Sequence, residues 1–295
     1  LDELIDMPEH SALTLARIAP ETARIDSVSW RQTGLRGFYP ASTVKLPVAA
    51  MVLQLLDENR LPIDAVVELG DEPAMTFREL LAETLVFSGN DTFNTLAEFV
   101  GFARMQRELQ AWGTEKFLLR RHFKNPRYNS SRSARVFNPD GSLAWEIAPR
   151  PAVDVPIHDG NGFDFHNPES NWACTDDLVR LMAAILFGPT RLRRYFPQLT
   201  GWCGMTNQCF PRQGLRQLTA LDPAHPGFVI LNKPGWWEPD QANVDISYVY
   251  DCSSKAHYLL GLYFHGTMQM AESRIPVVTQ QLFGLLRSAP ETLFC

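Results

Sequence analysis

The most strongly patterned stretch of the chain is residues 43–56, Thr-Val-Lys-Leu-Pro-Val-Ala-Ala-Met-Val-Leu-Gln-Leu-Leu, which is apolar on nearly every side. A helix of that kind is buried all round rather than laid on a surface. Pro47 is compatible with it because it falls in the first turn, where its missing N–H costs little. Residues 76–87 and 91–100 also carry apolar side chains at helical spacing. The Ser88-Gly89-Asn90 break between them supplies a turn and capping side chains, so the region reads as helix, tight turn, helix. Two further amphipathic helices are expected over 102–112 and 175–186, the second with N-cap chemistry in Thr175 and Asp176 and a stop at Gly188-Pro189.

Strand patterns lie toward both ends. Residues 12–18 alternate loosely and are rich in strand formers, with 26–32 as a hairpin partner, and short β-rich runs recur at 228–231, 245–250 and 257–264 before a helix over 277–286. Strands, helices, strands and a closing helix imply an α+β fold whose sheet is assembled from both chain ends. The natural division of a single domain is then a sheet part of 1–41 and 222–295 and a helical part of 42–221. Residues 121–171 hold many Pro, Gly, Asn and Ser without sustained periodicity, which is long for a connection inside a compact domain and marks a functional or disordered loop. There is no internal repeat or low-complexity tract.

Composition narrows the function classes. The 295 residues are 45% hydrophobic, enough for one large domain or two modest ones, and the formal net charge of −6 gives no reason to expect nucleic acid or an anionic membrane as partner. One basic run departs from this: Arg120, Arg121, Lys124, Arg127, Arg132 and Arg135 occur with no acid between them, a solvated loop rather than a polyanion site on general grounds. No apolar run reaches the roughly 18 residues of a membrane-spanning helix. The five cysteines are an odd number without metal-ligand spacing; Cys203 and Cys209 bracket a short loop that can close as a disulfide in an oxidising compartment, with buried free thiols the equal alternative. Asp159-Gly160-Asn161-Gly162-Phe163-Asp164 has part of a calcium loop but lacks its later bidentate Glu, and His158 and His166 sit on a polar loop. No metal or cofactor is called for.

The chemistry sits at Ser42-Thr43-Val44-Lys45, which places a hydroxyl and an amine three residues apart at the start of the buried helix, on one face. A lysine held in apolar surroundings loses affinity for its proton, and its neutral form can take the proton of the serine. The helix N-terminus favours the negative charge that develops there. By itself the pattern is weak, since an N-cap serine followed by a surface lysine has the same spelling. Ser88-Gly89-Asn90 in a helix-turn-helix and Lys233-Pro234-Gly235 after the run Phe-Val-Ile-Leu-Asn change that, because three such elements in order and in fitting contexts rarely coincide.

With these three motifs the chain resembles the serine β-lactamase and penicillin-binding-protein superfamily, most of all class A β-lactamases. Tyr39-Pro40-Ala41-Ser42-Thr43-Val44-Lys45-Leu46 is similar to the nucleophile segment, and Thr76-Phe77-Arg78-Glu79-Leu80-Leu81 leading to Ser88-Gly89-Asn90-Asp91-Thr92-Phe93-Asn94 to the second-motif helices. The resemblance implies an antiparallel sheet flanked by terminal helices with an all-helical subdomain beside it. It implies Ser42 as nucleophile, Lys45 as its base, Ser88 as proton relay to the leaving group and Lys233 as a positive charge nearby. Asn90, Gly235 and Trp236 would contact substrate, and the backbone N–H groups of Ser42 and Trp236 would form an oxyanion hole. It further implies a periplasmic or secreted protein acting on a β-lactam, a cell-wall peptide or a related amide or ester.

Three positions depart from the family pattern. Gly89 stands where an acidic residue is usual, and Pro234 where a Thr or Ser normally helps bind a substrate carboxylate. The third is the carboxylate that activates water for deacylation: the expected place falls on His122-Phe123-Lys124-Asn125-Pro126, with no acid, and Glu146 is a poor substitute downstream. Trp236 and Trp237 next to Pro234 read as packing or as an aromatic platform. These departures keep open a second class of function, a non-catalytic peptidoglycan-binding or scaffold protein that retains the fold.

Overall fold

The computed structural model describes residues 5–22, 24–123, 129–155, 170–188, 210–221, 227–238, 241–289 and 293–294. Five antiparallel strands form the main sheet, β1 (Ala12–Ala19), β2 (Arg24–Ser29), β7 (Phe228–Trp237), β8 (Ala242–Asp251) and β9 (Ala256–His265), in the order β2-β1-β9-β8-β7. The two chain ends meet where Ala12 pairs with Tyr263 and Ile18 with His257. β7 is an edge strand, which is the place in a sheet that tolerates Pro234 without a lost ladder bond. It runs six residues past the predicted run, so that Lys233-Pro234-Gly235 lie inside the strand instead of after it.

The helices between the two strand groups are α1 (Lys45–Glu58), α2 (Phe77–Leu85), α3 (Asn90–Val100), α4 (Phe102–Ala111), α5 (Thr175–Phe187) and α6 (Phe210–Leu221). All but three residues of α1 are buried, as its all-round apolar pattern predicts. It runs through the middle of one core, which also takes Val244 and Ile246 from one face of the sheet. The other face packs a second core, Leu13, Leu15, Leu260, Leu262 and Phe264, under α7 (Met268–Ser288). That helix begins nine residues before the predicted start, because Pro276 interrupts the pattern without breaking the helix.

Two sequence expectations change in detail. The segment 26–32 is strand only to Ser29 and then turns as a short 3-10 helix over Trp30–Gln32. Thr175 and Asp176 do not cap α5, whose N-cap is Cys174: the Thr175 hydroxyl meets Thr14 Oγ1 at 2.8 Å, and the Asp176 carboxylate accepts from Thr14 and Ser29, tying α5 to β1 and β2.

A second sheet was not legible in the sequence. Its strands, β3 (Val66–Leu69), β4 (Met75–Thr76), β5 (Ala134–Phe137) and β6 (Leu143–Ile147), order as β4-β3-β5-β6. With two to five residues each, none is long enough to register as a period-two pattern. The basic run largely dissolves into this region. Arg135 pairs with Glu68 at 2.7 Å, Arg132 binds the buried Glu98 at 2.9 Å and Glu72 at 3.1 Å, and Arg120 is itself buried. Arg120 and Arg132 are thus structural, while Arg135 is a solvated side chain on β5; Lys124 and Arg127 lie outside the described residues. So do Cys203, Cys209, the Asp159–Asp164 segment, His158 and His166. No described helix is long and apolar enough to cross a membrane.

Candidate active site

The chain enters α1 through one 3-10 turn, Ala41–Val44, whose tight winding eclipses side chains three residues apart. That is why Ser42 and Lys45 stand one above the other, with Lys45 Nζ 3.0 Å from Ser42 Oγ. Thr43 fixes the turn by donating to the Pro40 carbonyl at 2.6 Å. Ala41, just before the serine, sits at φ 46°, a left-handed conformation that costs a non-glycine residue about 1 kcal/mol or more and persists only where the surroundings impose it.

The second motif comes from the α2–α3 junction. Ser88 is also left-handed, at φ 58°, while Gly89 serves as N-cap of α3 without any side-chain capping bond. The Ser88 and Asn90 side chains, expected from sequence to cap, face Lys45 instead. Lys45 Nζ donates to Asn90 Oδ1 at 2.8 Å, to the Ser88 carbonyl and to Ser88 Oγ at 3.1 Å. From the opposite side Lys233 Nζ reaches the same Ser88 Oγ at 3.1 Å. Two buried lysines therefore share one hydroxyl. Burial, and then the Lys233 charge, push the Lys45 pKa down to about 6.

Strand β7 closes the site. Gly235 packs so tightly on the Ser42 turn that a Cβ there would lie 2.7 Å from Ser42 N and 3.0 Å from both Pro40 O and Thr43 N. All three are backbone atoms that cannot swing aside, so glycine is required by the approach itself. This contact brings the Ser42 N–H and the start of Trp236 to the same end of a cleft of about 470 Å³, which Ser42, Ser88, Asn90, Lys233, Gly235 and Trp236 all line. Its volume suits a small ligand. Phe87 and Trp236, 72% and 42% exposed, stand at its mouth.

Sequence reading missed one feature of the site. Phe123 lies with its ring 5.2 Å from Lys45 Nζ, and Asn94 clamps its backbone by accepting from its N–H and donating to its carbonyl, both at 2.8 Å. An aromatic face thus occupies the flank of Lys45. Among the described residues no carboxylate bonds to Lys45. Glu146 is exposed on β6 opposite Arg135 and does not line the cleft. The signal for Phe123 was present only as an alignment position, since nothing in a lone Phe announces a partner in a lysine.

A serine and a desolvated lysine at a helix start, a second serine and lysine across them, and a five-stranded antiparallel sheet with helices on both faces define the framework of a serine hydrolase of the β-lactamase type. The chain belongs to the β-lactamase enzyme family, whose model matches residues 29–280. Solved class A β-lactamases share its fold. The reconstructed enzyme of the last common ancestor of Gram-negative bacteria is 19% identical over 93% of each chain, with a TM-score of 0.64. A β-lactamase from Xanthomonas campestris pv. campestris is 18% identical over 95% of this chain and 93% of its own, at 0.63. One from Sphaerobacter thermophilus is 19% identical over 94% and 92%, at 0.61. No curated protein matches the chain.

Proposed function

We propose that this protein is a serine acyl-transfer enzyme that forms an acyl-Ser42 intermediate with a β-lactam, a cell-wall peptide or a related amide or ester, and releases it slowly. The observation that carries the reading is the 3.0 Å approach of Lys45 Nζ to Ser42 Oγ, with the amine driven toward its neutral form. Neutral Lys45 takes the Ser42 proton as Oγ bonds to the carbonyl carbon. The charge formed on the carbonyl oxygen is met by the N–H groups of Ser42 and Trp236. Collapse breaks the bond to the leaving nitrogen or oxygen, and the proton passes from Lys45 through Ser88 Oγ to that atom, with Lys233 stabilising the relay. Asn90 offers its amide N–H₂ to the substrate while its oxygen is held by Lys45.

Hydrolysis of the ester needs a second base for water. Phe123 on the flank of Lys45 and the absence of a described carboxylate there favour a long-lived acyl-enzyme, since general-base help is worth about 100- to 10,000-fold. The same features, with Pro234 in place of a hydroxyl, favour as a second reading a non-catalytic binding protein for peptidoglycan. Both readings, like the family, fit an exported protein. Time-resolved intact mass with a penicillin and a fluorophosphonate decides. The enzyme reading expects a persistent adduct that Ser42→Ala abolishes; the absence of any Ser42-dependent adduct would leave the binding protein.

A further inference from the structure

A second cavity, sharing no residue with the Ser42 cleft, lies where α3 gives way to α4. Its volume is about 120 Å³, well below the roughly 300 Å³ at which pockets take drug-sized ligands. The first turn of α4, from Gly101 to Arg104, lines it together with Asn129, Ser131 and Arg150. The strip that carries these last three residues is fixed. Ser131 and Arg150 exchange backbone N–H···O bonds, both at 2.9 Å, and Asn129 donates to the Val153 carbonyl at 2.8 Å and accepts from its N–H at 3.2 Å.

The charge around the cavity is of one sign. Arg104, Arg107 and Arg150 line it, and among the described residues no acid does. Arg104 is neutralised by Glu58 at 2.8 Å and Glu108 at 3.4 Å. Arg107 and Arg150 have no such partner among the described residues. Arg107 is exposed and donates to the Ala103 carbonyl at 3.2 Å. Arg150 donates its Nη groups to the carbonyls of Glu98, Phe99 and Val100, while the Glu98 carboxylate is held by Arg132. The Arg150 Nε–H, like that of Arg104, is buried without an acceptor among the described residues.

Neutral donors converge on the same space. Helix α4 starts from Gly101, at φ 84°, with no side-chain capping bond and no acid in its first turn. Its first N–H groups therefore keep the partial positive charge of a helix start. Ser131 is only 6% exposed, and its hydroxyl has no hydrogen-bond partner among the described residues. Buried polar groups left unmatched are costly, and donors gathered from several directions call for one acceptor with several oxygens. A tetrahedral oxyanion meets that need, whereas a carboxylate offers two oxygens in one plane.

We infer that the α3–α4 cavity binds a phosphate-type oxyanion, either free phosphate or the terminal monoester group of a larger molecule. Arg107, Arg150, Ser131 and the start of α4 hold it. The inference does not depend on the acyl-Ser42 reading. A bound anion ties the start of α4 to the strip that carries Ser131 and Arg150, and so stabilises the folded chain.

The test is calorimetric titration of the full chain with sodium phosphate, against sodium acetate and sodium chloride at the same ionic strength, with Tm read in each salt. Phosphate should raise Tm above its value in chloride and bind at least about tenfold more tightly than acetate. Arg107→Gln should weaken phosphate at least about tenfold by removing a charge-assisted bond, and Ser131→Ala about fivefold. Arg78→Gln, which removes an exposed arginine outside the cavity, should change it less than about twofold. If Ser131→Ala does not fold, Arg107→Gln on the exposed rim decides alone. Glycerol phosphate separates the two sources: affinity equal to that of phosphate assigns a monoester group, and much weaker binding assigns the free ion. No phosphate binding and no rise in Tm, acetate bound as tightly as phosphate, or a phosphate affinity unchanged by Arg107→Gln overturns the inference.

Discussion

Lys45 is placed so that its chemistry depends on what does not touch it. Its partners are hydroxyl, carbonyl and amide oxygens together with an aromatic face, and each accommodates a neutral amine. Below about pH 6 the amine is protonated and unable to accept the serine proton, so acylation should rise with pH through about 6 and level off by neutrality. A pH profile of adduct formation measures this; a limb near 9 or 10 would contradict it. The same shift bears on stability. The unfolded chain takes up this proton below the ordinary lysine value of 10.5, the folded chain only near 6, so between those values the group favours folding more as pH rises. Phe123→Glu should reverse the arrangement. A carboxylate beside Lys45 favours its charged form, so the acylation limb should move to higher pH and acylation at pH 7 should fall, while an acyl-enzyme once formed should shed its adduct faster. Lys45→Met should cost about 100- to 10,000-fold in acylation, the range for a lost general base.

At the scale of elements, three pieces of chain hold the site, and they were not equally legible in the sequence. The buried helix α1 was plain, because its pattern is apolar on all sides. The α2–α3 turn was plain in position but not in its chemistry: a string of Ser, Gly and Asn reads as capping, and only the fold shows that Gly89 caps and frees its neighbours for Lys45. Strand β7 was the least legible, since Pro and Gly end a strand in most sequences and here lie within one at a sheet edge. Its contact with the nucleophile turn gives a sharp prediction. Gly235→Ala must push β7 away from Ser42, and separating the two backbone donors should lower acylation by about 100-fold or more, as for loss of one oxyanion donor. A variant that keeps its Tm within a few degrees and its acylation rate within twofold would show that the strand does not position those donors.

For the molecule as a whole, the small sheet is bound to the helices through a buried ionic hub. Glu98, fully buried in α3, accepts from Arg132 N at 2.9 Å, Nε at 3.0 Å and Nη2 at 2.9 Å, and Arg150 donates to the carbonyls of Glu98, Phe99 and Val100, the last two at 2.9 and 3.1 Å. Removing one partner strands a charge, so Arg132→Met should destabilise the protein by about 3 kcal/mol, read as a shift in urea midpoint. Acylation at a temperature where the variant is folded should be little affected, because the hub does not line the cleft. The larger framework has a consequence in time. β1 has a local partner in β2, but its other edge is paired only by β9, Ala12 against Tyr263, and Ser42 meets Gly235 only once β7 exists. Contacts so distant along the chain are slow to form, and a ribosome moving from the N-terminus delivers Ser42 long before the strand that completes its surroundings. On the acyl-Ser42 reading, a nascent chain that has emerged through α5 carries Ser42 and Lys45 without the Trp236 N–H, and it should be inert toward acyl donors until synthesis is almost finished.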